Sequence, residues 1–335
     1  MKYNNIDFNN KTILITGGAG FIGSNLALFF QKNFPSSQIV VFDTFRSGEK
    51  FSNGNLKSFG HYNNLIGFEG DLICGNINSK LDLEKLKNYV FDYIFHHAAI
   101  SDTRIYDQEI IMKTNVNSFY DILELAKNNN ATLVYASSAA TYGKLQSPQT
   151  IGNENPENPY GYSKYMMDQI AHRFSIKNQE IVIIGLRFFN VYGPREFFKA
   201  KTASMIIQLG HQILRNESPR LFVNSENIFR DFIYIDDVIK ANLIASNSQK
   251  SGLYNVGTGI PRSFKDIVDV LQLEFNTDLD IEYFANPYND YQNHTQADIS
   301  SLKEDLNFHP KISLEQGIKL YADEIRKTSF LKHND

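Results

Sequence analysis

Tyr160 and Lys164 stand four residues apart in Tyr160-Gly161-Tyr162-Ser163-Lys164, so a helix would set them on one face. A phenol with an ordinary pKa of about 10 is a poor base at neutral pH. A neighbouring ammonium lowers that value by stabilising the phenolate. Upstream, Tyr135 to Gly143 (YASSAATYG) runs off an apolar stretch and offers Ser138, whose hydroxyl can hold a reacting oxygen or relay a proton. The chemistry in view is proton transfer at a substrate oxygen.

A second constellation lies near the start of the chain. Thr16-Gly17-Gly18-Ala19-Gly20-Phe21-Ile22-Gly23 joins an apolar run, Thr12 to Thr16, to an amphipathic stretch, Gly20 to Lys32. In such a loop one glycine permits a tight turn, another lets the backbone approach a pyrophosphate, and a third lets helix and strand pack closely. The helix start then turns free N–H groups and a positive dipole end toward the phosphates. Gly17, Gly20, Phe21, Ile22 and Gly23 are therefore candidates to hold a dinucleotide. Asp43 ends the next strand, where an acidic residue commonly binds the adenosine ribose, which favours NAD. Arg46 and Lys50 follow it closely and could pair with a 2′-phosphate, which favours NADP. Asp71, in Gly70-Asp71-Leu72, is a candidate partner for the adenine amine. His97-Ala98-Ala99 follows a further strand with small side chains toward the cofactor. His96 and His97 stand apart from other ligand types, so a hydrogen-bonded strand-end role is expected and no metal site.

The elements needed to position these residues are legible as alternation. Strands are expected at Thr12–Thr16, Gln38–Asp43, Leu65–Phe68, Tyr93–His97, Ala131–Ser137 and Ile181–Leu186. Helical patterns lie between them, at Gly20–Lys32, Met112–Asn128 and Tyr160–Phe174. Continuous apolar strands alternating with helices imply a parallel sheet covered on both faces. The expected fold is α/β, a Rossmann-type doubly wound parallel sheet with a smaller mixed α/β C-terminal substrate lobe. Residues 1–187 read as the NAD(P)-binding domain, with a return segment near 231–257, and 188–330 as mainly the substrate-binding lobe. There, Ser204–Arg215 reads as a helix, and Asp231–Ile235 and Leu253–Val256 as short strands.

Composition narrows the partners. The 335 residues are 42% hydrophobic and 21% charged, enough for a sizeable core. With 33 basic and 37 acidic residues and a net charge of −4, no basic surplus favours a nucleic-acid partner. The polar Met1 to Asn10 stretch has no secretion-signal pattern, and no apolar run reaches the ~18 residues that span a bilayer. One cysteine, Cys74, excludes an internal disulfide and fits a reducing cytoplasm. It reads as a small core residue.

The glycine loop, Ser138 and Tyr160/Lys164, with Arg187 to Arg195 (RFFNVYGPR) and Asn255 to Gly259 (NVGTG), resemble the extended short-chain dehydrogenase/reductases, the NAD-dependent epimerase/dehydratase family. A narrower resemblance is to the ADP-L-glycero-D-manno-heptose 6-epimerases. It is carried by SSAATYG at Ser137, YGYSK at Tyr160, FNVYGPRE at Phe189, SPRLF at Ser218, RDFIY at Arg230 and TQAD at Thr295. The chain departs from that pattern at Phe197-Phe198, where a Gly-His pair is frequent, at Lys201, where a small polar residue is frequent, and at Gln208, where a histidine is.

The narrower resemblance implies an epimerase with tightly bound NADP, or alternatively NAD. Its substrate would be an ADP-heptose, inverted at carbon 6 by transient oxidation, and its product would feed the heptose of lipopolysaccharide inner core. It further implies a cytoplasmic homo-oligomer, often a pentamer. Catalytic roles would fall to Tyr160, Lys164, Ser138 and a second acid/base lysine, Lys199. Thr44, Leu72, Ser101, Thr114, Val191 and Lys199 join the cofactor set. Ser101, Ser138, Asn190, Lys201, Gln208, Phe222, Ser225, Arg230 and Tyr291 form the substrate set, with Arg230 on the diphosphate and Phe222 near the substrate adenine. Three rivals stay open. A 4,6-dehydratase wants acidic helpers where Ala139-Ala140-Thr141 stand, a sugar-nucleotide 4-epimerase needs no counterpart of Lys199, and a non-catalytic dinucleotide sensor needs none of Ser138, Tyr160 and Lys164.

Overall fold

A computed structural model describes residues 6–286 and 292–331. The chain divides into two compact units. The first comprises Met1–Gly143, Glu154–Arg187 and Ile239–Tyr254, and the second Lys144–Asn153, Phe188–Val238 and Asn255–Asp335. The boundary at Arg187 coincides with the change in sequence rhythm. The stretch Lys144–Asn153 belongs to the second unit rather than the first, and the returning segment, 239–254, is shorter than the 231–257 expected from the sequence.

Seven strands form one sheet: β1 Thr12–Thr16, β2 Gln38–Asp43, β3 Asp71–Cys74, β4 Tyr93–His96, β5 Thr132–Ser138, β6 Ile183–Phe188 and β7 Gly252–Val256. Their order is β7-β6-β5-β4-β1-β2-β3, and the ladders from β3 across to β5 are parallel. Ile13, Leu14 and Ile15 are fully buried because β1 is central and covered on both faces, which is why its run is continuously apolar. Three helices matter for the site: α1 Phe21–Asn33, α2 Ser118–Asn129 and α3 Pro159–Lys177. α1 packs on β1 and β2, α2 on β4 and β5, and α3 on β5.

Register sets what reaches the carboxyl edge. Phe42, Thr16, His96 and Tyr135 form one row across β2, β1, β4 and β5. The glycine loop, Asp43, His97 and Ser137-Ser138 therefore leave the sheet side by side. β1 lies between β2 and β4, the point where the winding reverses and where open α/β sheets take their ligands.

Three expectations need correction. The third strand is Asp71–Cys74, not Leu65–Phe68; Tyr62–Leu65 is a 3₁₀ turn, and the chain reverses at Gly67 with φ +85°. Cys74 is exposed, not a core residue, because β3 is the edge strand and alternate side chains point to solvent. The helix expected over Met112–Asn128 is interrupted: an α-turn at Gln108–Ile111 passes into a π-helical stretch, Met112–Asn117, before α2.

In the second unit the helices Met205–Leu214, Phe264–Phe275 and Leu314–Thr328 pack on one another. Short strand pairs join Asn190–Tyr192 to Phe232–Tyr234 and Arg220–Phe222 to Glu282–Phe284 in parallel, and Phe229–Arg230 to Arg262–Ser263 antiparallel. Asp231, fully buried, organises this unit. Its carboxylate accepts from the Thr258 amide (2.7 Å) and hydroxyl (2.6 Å), the Gly259 amide (2.8 Å) and the Ala297 amide (2.9 Å). Among the described residues no helix is long and apolar enough to cross a membrane.

Candidate active site

The glycine loop fits a dinucleotide. Gly17 has φ +70°, and a Cβ there would lie 2.6 Å from the Ala98 amide nitrogen, so the loop lies directly against the chain leaving β4. Gly20 caps α1 with no side-chain hydrogen bond, leaving the helix start to an anion rather than to a serine or aspartate cap.

The Asp43 carboxylate is anchored by the main chain. Its Oδ2 accepts from the Ala19 amide at 3.0 Å and its Oδ1 from the Phe45 amide at 2.8 Å. Burial pushes the carboxyl up, and the Phe45, Ala19 and Thr44 amides oppose that shift. The returning loop completes the corner: the Arg46 amide donates to the Gly60 carbonyl (2.8 Å), and the His61 amide to the Ala19 carbonyl (3.0 Å). Burial first, and then the Arg46 charge, keep His61 below its ordinary value. Thr44 and Lys50 are exposed on this loop.

Asp71 and Leu72 are not gathered with this group. They pair with Val40 and Val41, short of the carboxyl end, where Asp43 pairs with Cys74. The Asp71 carboxylate accepts from the Gln38 side chain at 2.9 Å. At the end of β4, His96 Nδ1 and Thr16 Oγ1 share a hydrogen bond of 2.7 Å. Burial and then the Lys164 ammonium lower both histidines, His97 to about 3, so both are neutral at pH 7. Ala98 and Ala99 are half-buried, Ser101 is exposed, and Thr114 accepts from the Asn78 amide group at 3.0 Å.

Ser138, Tyr160 and Lys164 are brought together. Ser138 ends β5, and its Oγ accepts from the Ala140 amide at 3.1 Å, starting a 3₁₀ turn. Asn158 caps α3 by accepting from the Gly161 amide at 2.8 Å, and Pro159 opens the first turn, as helix starts prefer. A Cβ on Gly161 would stand 2.4 Å from the Ala140 carbonyl oxygen. Only glycine allows α3 to begin so close to the serine turn. Burial raises the Tyr160 phenol above its ordinary value, and a hydrogen bond with Ser138 opposes the rise. Lys164 donates to the Ala136 carbonyl at 2.8 Å and sits 5.9 Å from the centre of the Tyr160 ring. The expectation that Lys164 holds the phenol below its ordinary pKa is thus corrected: burial is the largest effect and raises it. Lys164 itself is lowered to about 8 by burial, against the attraction of Asp168.

Lys199 belongs to the second unit, in a 3₁₀ segment over Phe197–Thr202. Glu196, fully buried, accepts from the Gly193 amide (3.3 Å) and from the Ser204 amide and hydroxyl (both 2.7 Å). That fixes both ends of the turn. Ala200 has φ +50° and ψ −124°, a strained conformation for a residue with a Cβ and one that clusters at functional positions. Phe197 and Phe198 meet edge to face at 5.1 Å.

Of the other residues in this unit, Asn190 is exposed and Val191 half-buried, both in the Asn190–Tyr192 strand. Lys201 is exposed, and the Gln208 side chain donates to the Ala203 carbonyl at 2.6 Å. Phe222 packs against Phe284 at 4.9 Å. The Ser225 hydroxyl is buried with no hydrogen-bond partner among the described residues. Arg230 is more committed than the sequence suggests: it donates to the Phe229 carbonyl (2.8 Å) and the Gln292 carbonyl (2.5 Å) and lies over Phe264. Tyr291 lies outside the described residues.

Sequence reasoning missed Asn115. It is fully buried in the π-helical stretch, exchanges hydrogen bonds with the Ile100 main chain (both 2.9 Å) and donates to the Ser163 hydroxyl at 2.9 Å. It ties the chain after β4 to the helix that carries Tyr160 and Lys164. Its signal was a polar residue inside an apolar helical stripe, and π-helical turns often mark functional sites.

A doubly wound sheet with a glycine loop on its first strand, and a half-buried serine gathered with a buried tyrosine and lysine at the end of its fifth, defines a dinucleotide-binding protein of the short-chain dehydrogenase/reductase class. The model of the NAD dependent epimerase/dehydratase family matches residues 13–257, and the chain belongs to that family. It is 36% identical to the ADP-L-glycero-D-manno-heptose-6-epimerase of Brachyspira hyodysenteriae over 94% of this chain and 98% of that protein. It is 46% identical to the crystal structure of the Helicobacter pylori ADP-L-glycero-D-manno-heptose-6-epimerase, with a TM-score of 0.88 covering 97% and 99% of the two chains. It is 27% identical to the UDP-glucose 4-epimerase of Thermotoga maritima, with a TM-score of 0.84 covering 95% and 99%.

Proposed function

We propose that this protein interconverts ADP-D-glycero- and ADP-L-glycero-β-D-manno-heptose by inverting carbon 6. The reading is carried by one conjunction. A half-buried Ser138 beside the buried Tyr160 and Lys164, and a second lysine, Lys199, on a turn anchored by Glu196, occur in a chain alike to two heptose epimerases over nearly its whole length.

The chemistry that a bound nicotinamide ring supplies is reversible hydride transfer at carbon 6. The residues of this chain manage the proton and the geometry. Ser138 holds the reacting oxygen. Tyr160, whose burial keeps it protonated at neutral pH, donates to that oxygen as it gains charge and takes the proton back in the reverse sense. Inversion needs hydride on both faces of one ketone, hence two acid/base groups, and Lys199 is the second. Lys164 keeps a positive charge near the phenol and holds the nicotinamide ribose. The glycine loop binds the pyrophosphate through main-chain N–H groups.

At the adenosine end we favour NADP over NAD. Both Asp43 oxygens already accept main-chain amides, and the loop that follows brings Arg46 and Lys50, cations suited to a 2′-phosphate. Releasing the cofactor by denaturation and identifying it tests this point. On the substrate side, Ser225 and Phe222 are assigned to the ADP-heptose.

The test of function is separation of the two carbon 6 epimers after incubation with either one. Conversion should be lost in both Tyr160→Phe and Lys199→Met. A UDP-sugar 4-epimerase would retain activity in Lys199→Met, and that result would reassign the protein.

A further inference from the structure

Directly behind the reactive set lies a buried ionic group that the chemistry above does not use. Asp168 follows Lys164 by one helical turn on α3. Its Oδ1 accepts from the Tyr135 hydroxyl and its Oδ2 from the Ser137 hydroxyl, each at 2.9 Å. Both donors are on β5, and Ser137 stands next to Ser138. Arg187, in β6, donates its Nε to Asp168 at 2.9 Å and its Nη1 to Glu154 at 2.5 Å, with its guanidinium 5.0 Å from the Tyr142 ring centre. The Asp168 and Arg187 side chains are each 1% exposed.

An ion pair sealed this completely is poor evidence of stabilisation, because apolar residues of the same volume often hold a fold as well. Its placement is the informative part. It joins β5, which delivers Ser138, to α3, which delivers Tyr160 and Lys164, and to the turn that delivers Tyr142.

We propose that Asp168, locked by Arg187, is a positioning residue that fixes the end of β5 against α3 and holds Lys164 as an ammonium. The proposal rests on the reading of Lys164 as a working part of the site. The groups that face Lys164 are Asp168 on its own helix, the Tyr160 ring, the neutral His96 and His97 at the end of β4, and the Ala136 carbonyl. Arg187 and Glu154 face Asp168 from its other side. Among the charged groups described, only Asp168 opposes the desolvation of the ammonium, whose pKa has already fallen to about 8. Without that carboxylate, Lys164 would lose its proton at a lower pH, and the alkaline limb of activity would move down with it.

The experiment has two readouts. In protein labelled with carbon-13 at lysine Cε, the Lys164 titration is followed by NMR and assigned with Lys164→Met. In parallel, kcat/KM for heptose epimerisation is measured against pH. Asp168→Asn should lower the Lys164 titration, and the alkaline limb with it, by about one unit or more. Asp168→Glu should restore both. Ser137→Ala, which removes a hydrogen bond but no charge, should slow the reaction and leave the titration in place. If Asp168→Asn fails to fold, the double variant Asp168→Asn/Arg187→Gln removes both buried charges together and should show a smaller downward shift, because loss of the Arg187 cation partly offsets loss of the nearer carboxylate. An unmoved titration in whichever of these folds, or a rate loss equal at every pH, would overturn the proposal. Failure of the wild type to convert the heptose would overturn the functional reading alone, since the NMR titration needs no substrate.

Discussion

Replacing Lys164 with methionine should leave the protein more stable at neutral pH while abolishing its activity. Burial lowers the Lys164 ammonium from 10.5 to about 8, so carrying that charge in the folded state at pH 7 costs about 3 kcal/mol relative to the unfolded chain. Methionine keeps the aliphatic volume but leaves the Ala136 carbonyl without its donor, now 2.8 Å away, a loss of about 1 kcal/mol. The net gain is about 2 kcal/mol, which for a chain of this length raises Tm by roughly 3 °C. The sign follows from linkage. The folded pKa lies below the unfolded one, so between about 8 and 10.5 the unfolded state binds more protons. The Lys164 contribution to wild-type stability is therefore most unfavourable below pH 8, and its cost falls away toward pH 10.5. The advantage of Lys164→Met should be complete below pH 8 and fade as pH approaches 10.5. Urea midpoints for the two proteins at pH 7 and pH 10 measure it directly. A variant less stable than wild type at pH 7, or an advantage that grows with pH, would refute the reasoning.

Other consequences are as direct. Tyr160→Phe, which removes only a hydroxyl, should cut epimerisation by roughly 10²–10⁴-fold, measured as initial rate, with the near-UV circular dichroism unchanged. Gly161→Ala forces α3 away from the Ala140 carbonyl, which a Cβ would approach to 2.4 Å. It should cost about 1–3 kcal/mol in urea unfolding and lower kcat roughly a hundredfold, because Tyr160 and Ser138 no longer meet. Asp231→Asn turns an amide group toward a cluster of main-chain donors and should destabilise the second unit by about 2–3 kcal/mol, seen as increased hydrogen exchange at Thr258, Gly259 and Ala297.

What the sequence revealed depended on whether the signal was local. The glycine loop, the Tyr160–Lys164 spacing and the alternation of apolar strands with helices each lie within one short window, and each has its expected place in the fold. The third strand did not follow that rule. Asp71–Cys74 is a short edge strand with a half-exposed pattern, while the more apolar Leu65–Phe68 is a turn anchored by buried Leu65. Cys74 was misjudged for the same reason: an edge strand exposes every second residue however apolar its neighbours. The Asp168–Arg187–Glu154 group was invisible because its members come from three separate segments and no spacing links them. The charge state of Tyr160 could not be read from spacing either. Four residues on a helix place the ammonium near the ring, but only the three-dimensional arrangement shows how deeply the phenol is buried, which raises its pKa.

The central claim is inversion of carbon 6 by hydride that leaves and returns within one enzyme. Its most direct test is incubation of the purified protein with ADP-D-glycero-β-D-manno-heptose in deuterated water, without added cofactor, followed by separation of the epimers and NMR of carbon 6. The account requires a mixture of both epimers with protium retained at carbon 6. No conversion, even after adding NADP and then NAD, or deuterium at carbon 6 of the product, would contradict it.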